Sequence, residues 1–264
     1  MPVVFVHGLW LLPSSWDRWA ELFDHEGFAP LAPGWPDDPA TVELANQDPE
    51  TFAGKTVGQV ADHYEQIIDH LTTKPVVIGH SFGGLVAQIL AGRGLATATA
   101  AIDPAPFRGV LPLPLSSLRA ARPALGNPAN RHRAVALTYE QFRYAFANAL
   151  DEAEARHLYA TFAVPAPGAP LFQAAAANLN PRTEVKVDTA NPARGPLLIL
   201  SGEHDHTVPW SLAHAAYKRQ LHNSAVTEIE QVPGRGHSLT IDHGWREVAV
   251  TVLDFFRKVL TPTG

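Results

Sequence analysis

Pro75-Val76-Val77-Ile78-Gly79-His80-Ser81-Phe82-Gly83-Gly84 sets a Gly-x-Ser-x-Gly pattern directly after a short apolar, β-branched run. A helical pattern follows at once, with Leu85, Val86, Ile89 and Leu90 on one face. The five-residue pattern alone is weak, because glycine is a common residue. Its setting between strand and helix gives it weight. A sharp strand-to-helix turn needs small residues at Gly79 and Gly83, forces Ser81 into strained backbone geometry and projects its hydroxyl outward. The Phe82 N–H then lies at a helix N-terminus, facing negative charge that develops beside Ser81. The bland reading of these residues is a capping serine or a phosphate-type glycine loop.

Outward from this turn, apolar β-branched runs alternate with helical patterns, which predicts βαβ units and an α/β fold with about six mostly parallel strands. The strands are expected at 2–6, 28–32, 75–79, 98–102, 196–200 and 225–231. Most are continuously apolar, as when helices cover both faces of a sheet. Ser14 or Ser15 is placed to cap a helix that runs to about residue 25 and stops at Gly27, and Thr56 to cap the next. Further helices are expected at 209–221 and 244–260, and 34–54, rich in Pro, Asp, Asn and Gly, reads as a long loop. Residues 104–190 break the rhythm with short helical patterns, such as 139–150 and 151–162, and no convincing strand. The expected organisation is therefore a core of 1–103 and 191–264 with a helical cap inserted at 104–190.

Three other strand ends carry chemistry-bearing residues to the same edge of the sheet, where ligands of open α/β sheets gather. After 196–200 comes Ser201-Gly202-Glu203-His204-Asp205, and after the last strand Gly234-Arg235-Gly236-His237-Ser238. A serine hydroxyl needs a base, itself oriented by an acid, and the chain order Ser, Asp, His suits this fold. The first strand ends in His7-Gly8-Leu9-Trp10, whose Leu9 N–H can supply a second oxyanion donor.

The 264 residues contain no cysteine, so disulfides, thiolate metal sites and cysteine nucleophiles are excluded. A net charge of −6 argues against a nucleic-acid partner. No 18-residue apolar run appears, and from Met1 the chain enters an apolar strand without a charged leader, so a cytoplasmic protein with no membrane partner is expected.

With these motifs the sequence resembles the α/β-hydrolase superfamily, in layout most like its compact methylesterase and hydroxynitrile lyase branch. The resemblance rests on His7-Gly8, the 79–84 turn, Gly202 to Asp205 and Gly234 to His237, and is weak over 104–190. It implies Ser81 as nucleophile, His237 as general base and then acid, Asp205 as its orienter, and Leu9 and Phe82 as oxyanion donors. No cofactor or metal is implied. Ser238 stands where lyases of this branch carry a lysine, which disfavours cyanohydrin cleavage. The expected reaction is hydrolysis of a small to medium, partly apolar ester. Lactone, thioester, amide or C–C bond hydrolysis, perhydrolysis, and a receptor-like binding protein on the same scaffold are the alternatives.

Other residues invite competing readings. Asp103 ends the 98–102 strand, where some hydrolases place their acid, and Glu203 is a remoter substitute. Glu203-His204-Asp205-His206 looks like a metal tract, yet two histidines on an extended loop tend to point apart. His7 and His80 read as structural hydrogen-bonding residues. Trp10, Phe142 and Phe146 are the candidates to line a substrate pocket. The nine basic against six acidic residues of 104–190 read as a solvated face.

Overall fold

Successive residues of the first strand enter different cores. Val3 and Phe5 pack with Trp16, Trp19 and Phe23, whereas Val4 and Val6 pack with Val57, Val60 and Leu85, all of them buried. This alternation fits a sheet with helices on both faces. The computed structural model describes residues 1–111 and 113–261. Its chain runs β1 Pro2–Val6, α1 Asp17–His25, β2 Ala29–Leu31, α2 Val42–Gln47, α3 Val57–Asp69, β3 Val76–His80, α4 Phe82–Gly92 and β4 Ala98–Ile102. It then leaves the sheet for α5 Leu115–Leu125, β5 Ala134–Val135, α6 Tyr139–Ala145, α7 Glu152–Phe162, β6 Ala166–Pro167 and α8 Ala169–Ala176. It returns for β7 Leu197–Gly202, α9 Trp210–Gln220, β8 Thr227–Val232 and α10 Trp245–Leu260.

The six-stranded sheet has the order β2-β1-β3-β4-β7-β8, and every neighbouring pair is parallel. Strands β1 and β4 have the expected bounds; the other four shift by one or two residues. The chain moves from β1 outward to β2, then back across to β3, so the order reverses between β1 and β3. A crevice opens at such a switch point, beyond the carboxyl ends of the strands. Helices α3, α4 and α9 contribute to one core and α1 and α10 to the other. Thr56 caps α3 in a reciprocal box with Gln59, and Glu184 accepts the Gly58 N–H at 2.9 Å.

Three expectations need correction. Neither Ser14 nor Ser15 caps α1: both lie inside a 3₁₀ turn over Pro13–Trp16, the Ser15 hydroxyl donates to the Leu12 carbonyl, and Trp16 stands at the N-cap. The stretch 34–54 is not all loop. Thr41 caps α2 by accepting the Leu44 N–H, and a 3₁₀ turn follows at Pro49–Phe52. Only Ala45 is buried in α2, so its six residues offer no periodic signal. Residues 104–190 also contain the two-residue antiparallel ribbon β5/β6, too short for an alternating pattern. Among the described residues no helix is long and apolar enough to cross a membrane.

The start of α4 lies hard against the end of β1. A Cβ at Gly83 would overlap the Val6 carbonyl oxygen, and one at Gly79 the Gly83 carbonyl oxygen. Both obstacles are backbone and cannot rotate away. Gly83→Ala is therefore expected to lose about 3 kcal/mol or more of stability, read from urea unfolding midpoints. An unchanged midpoint would contradict this packing.

Candidate active site

Ser81 lies between β3 and α4 with φ +56° and ψ −120°, a conformation costly for a residue with a Cβ, by roughly 1–3 kcal/mol. The surrounding backbone enforces it. The Ser81 N–H donates to the Ile102 carbonyl at 2.9 Å, and the Ser81 carbonyl accepts from the N–H groups of Leu85 (3.1 Å) and Ala105 (2.9 Å). A Cβ at Gly8 would come within 2.9 Å of the Ser81 Cβ, so the loop after β1 approaches this turn because residue 8 is glycine.

His237 reaches Ser81 from the loop after β8, with Nε2 at 2.9 Å from the Ser81 Oγ. Its Nδ1 lies 2.6 Å from Asp205 Oδ2. The other oxygen of Asp205 accepts N–H bonds from Thr207 (2.6 Å) and Val208 (2.9 Å). Burial opposes ionisation of Asp205, but the His237 ring and the Val208 N–H outweigh it and hold the carboxyl below its ordinary range. The arrangement leaves a carboxylate behind an imidazole that faces a hydroxyl. It also fixes the tautomer, with Nδ1–H toward Asp205 and Nε2 free to accept from Ser81.

Asp103 forms part of the same buried cluster. It directly follows β4 at φ +44°, its Oδ1 accepts the Gly202 N–H at 2.8 Å, and its Oδ2 stands 4.0 Å from His237 Nδ1. Burial and then the Asp205 charge push its carboxyl well above the carboxylate range. Like charges this close in an apolar setting do not both ionise. A protonated Asp103 can donate its O–H to Asp205, which provides for an Oδ2 otherwise without a partner.

His80 ties the two loops together, its Nε2–H donating to the His237 carbonyl at 2.8 Å. Burial, followed by the proximity of His237, lowers its pKa to about 3, so it is neutral at ordinary pH. His7 bridges the Gly8 carbonyl and Asp38 Oδ2, each at 2.9 Å. Both histidines thus make the structural hydrogen bonds expected of them. Donor atoms of His80, Asp103 and His237 lie within 4.8 Å of one another, but both nitrogens of His237 are already engaged. His204 is exposed near Glu203, whereas His206 stacks on Tyr144 at 4.5 Å. Among the described residues, neither joins a group of three potential metal ligands.

An apolar cavity of about 160 Å³ opens beside Ser81. Trp10, Phe82, Leu113, Leu118, Val208 and Leu212 contribute its larger walls, and among the described residues Ser81, Ser117 and Thr207 are the polar ones that line it. Six alanines, 105, 120, 121, 145, 174 and 175, leave the space open. Of the three expected lining residues, Trp10 is present, but Phe142 and Phe146 do not line the cavity. They lie one turn apart on the inner side of α6, stacked at 4.9 Å, and Phe146 meets the His237 ring edge-on at 5.0 Å. They pack behind the imidazole, while Ala145 faces the cavity. Alanine pairs in helices look like ordinary helix composition, so the sequence carried no signal for the walls they form. Leu9 directly follows Gly8, and Phe82 is the first residue of α4, whose early N–H groups lack partners within the helix.

A model described as "Alpha/beta hydrolase family" matches residues 3–251. No curated protein matches the sequence. Among solved structures, the chain is similar to a monoacylglycerol lipase of Paleococcus ferrophilus, at 19% identity over 96% of this chain and 93% of that one, with a TM-score of 0.67. It is also similar to an esterase of Thermogutta terrifontis (19%; 98% and 90%; 0.69) and a pyrethroid hydrolase of Sphingobium faniae (16%; 99% and 98%; 0.66). Likeness at such identities shows a shared fold.

Proposed function

Because this chain belongs to the alpha/beta hydrolase family, we propose that it is a serine hydrolase of small to medium, partly apolar carboxylic esters, acting through an acyl-enzyme. The observation that carries this reading is the continuous line from Ser81 Oγ through His237 to Asp205, at 2.9 and 2.6 Å. As Ser81 Oγ bonds to the ester carbonyl carbon, its proton passes to His237 Nε2. The Leu9 and Phe82 N–H groups hold the oxyanion, each contributing about 3–4 kcal/mol. The intermediate collapses, the C–O bond to the alcohol breaks, and the departing oxygen takes the proton from His237. Water then delivers a proton to His237 and its hydroxyl to the acyl carbon; the bond from that carbon to Ser81 Oγ breaks, Oγ takes the proton back from His237, and the acid leaves. Asp205 stabilises the imidazolium at both stages. All of these steps run on protein groups.

The apolar cavity supports a neutral substrate, since among the described residues no charged side chain lines it. The excursion between β4 and β7 supplies Leu113, Leu118, Ala121 and Leu171 to its wall, so residues 104–190 act as a cap on the core. In a panel of neutral esters, carboxylate-bearing esters, lactones, thioesters and β-diketones, turnover is expected to favour neutral esters with apolar acyl chains. Activity confined to lactones or β-diketones would overturn the ester assignment.

A further inference from the structure

Helix α5 is built inside out. Its buried residues are Ala120 and Ala124, whereas Leu115 and Leu118 are 84% and 39% exposed. At 100° per residue, Leu115, Leu118, Arg119 and Arg122 fall on one side of this helix, and all four are exposed. Leu111 and Leu113, just before the helix, are 76% and 68% exposed. A soluble helix ordinarily turns its leucines inward and its alanines anywhere. Leu125, half-buried, does turn to the Ser81 cavity, but Leu111, Leu113, Leu115 and Leu118 put four exposed large apolar side chains within eight residues.

Cations flank the leucines on both sides. Leu111 borders a cleft of about 480 Å³ that is also lined by Arg108, Lys186, Arg219 and His222, with no carboxylate among its lining residues. Beyond α5, a second cleft is lined by Arg119, Arg122, Tyr144 and Glu140, the one carboxylate of the two clefts. Arg119 lies over the Tyr144 ring at 4.0 Å. Among the described residues, none of Arg108, Arg119, Arg122 and Lys186 forms a salt bridge with a carboxylate. The protein carries a net charge of −6, so this unpaired positive surface is local. Leu113 and Leu118 also line the cavity at Ser81; the exposed leucines thus continue into the site.

We propose that Leu111, Leu113, Leu115 and Leu118, with Arg108, Lys186, Arg119 and Arg122 around them, dock this protein on an anionic lipid surface, from which an apolar ester enters the Ser81 cavity. The source of the substrate rests on the hydrolase reading above; the docking does not. Leucines at the boundary bury apolar area among acyl chains while the longer cations engage head groups. Each cation near an anionic surface strengthens attachment by about fivefold. An isologous contact with a second copy would instead set these arginines against one another. Surface attachment of this kind requires no spanning segment, so it departs from the expectation of no membrane partner without needing a transmembrane helix.

The test uses Ser81→Ala protein, so that binding is read without turnover. Flotation is compared on vesicles of phosphatidylcholine alone and of phosphatidylcholine with phosphatidylglycerol. Binding to the anionic vesicles is expected, weakening as salt rises. Leu111→Ser/Leu115→Ser is expected to weaken it at least about tenfold, and Arg108→Glu/Lys186→Glu at least about 25-fold. Neither pair lines the Ser81 cavity. In a background with Ser81 intact, both are expected to keep kcat/KM on a soluble short-chain ester within about twofold. Lack of binding to anionic vesicles, or equal binding by the leucine variant, would overturn the proposal. So would a wild-type dimer that the leucine variant converts to a monomer, since the surface would then belong to a second copy. Because flotation involves no hydrolysis, failure here would leave the reading of Ser81 untouched.

Discussion

Ser81→Ala is expected to lower kcat on a neutral ester by about a millionfold while leaving KM within a few-fold. The side chain is small and 5% exposed, and its carbonyl and N–H bonds to Ile102, Leu85 and Ala105 are made by backbone. Alanine therefore preserves the turn and removes only the hydroxyl oxygen. On the proposed mechanism, what remains is binding and the Leu9 and Phe82 N–H groups, which would retain roughly a thousandfold or more over water. Steady-state kinetics, with unfolding midpoints to confirm the fold, check the expectation. A loss below about a hundredfold would mean that Ser81 does not form the covalent bond.

Asp205→Asn is expected to lower kcat by about ten-thousandfold, and Asp103→Asn by less than about tenfold. The two residues share one buried cluster but differ in charge. Asp205 is the carboxylate at 2.6 Å from His237 Nδ1. An amide there can present N–H to the ring, reverse its tautomer and leave Nε2 carrying a proton, unable to accept one from Ser81. Burial and then the Asp205 charge push the Asp103 carboxyl well above the carboxylate range, which favours its neutral form. Asparagine reproduces that neutral acid, with an oxygen for the Gly202 N–H and a donor toward Asp205. A larger loss from the Asp103 change would transfer the orienting role to that residue.

The difference between those two aspartates marks where sequence reading stops. Both follow strands at the reactive edge of the sheet; the loop pattern from Gly202 points to Asp205, and the folded distances, 2.6 against 4.0 Å to His237 Nδ1, separate the two in geometry. The strands were legible because parallel strands buried on both faces are continuously apolar; β1 and β4 have the bounds expected of them. The turn at Ser81 was legible because its glycines are required by backbone approach. Helix α2 was not, since its single buried residue leaves no period. Phe142 and Phe146 were assigned to the pocket on aromatic character, but helix rotation decides which side faces inward, and here it presents Ala145. The outward leucines of α5 are not legible in the sequence for a related reason. Periodicity reports that Leu115 and Leu118 share a face, and only the burial of Ala120 and Ala124 in the folded chain reports that this face is outward.

The most direct test of the central claim is intact-mass and peptide analysis after reaction with a fluorophosphonate, which phosphonylates an activated serine oxygen. Wild-type protein is expected to gain one adduct, mapped to Ser81, and Ser81→Ala none. No adduct on the wild type, or the same adduct on Ser81→Ala, would contradict the assignment of Ser81 as the nucleophile.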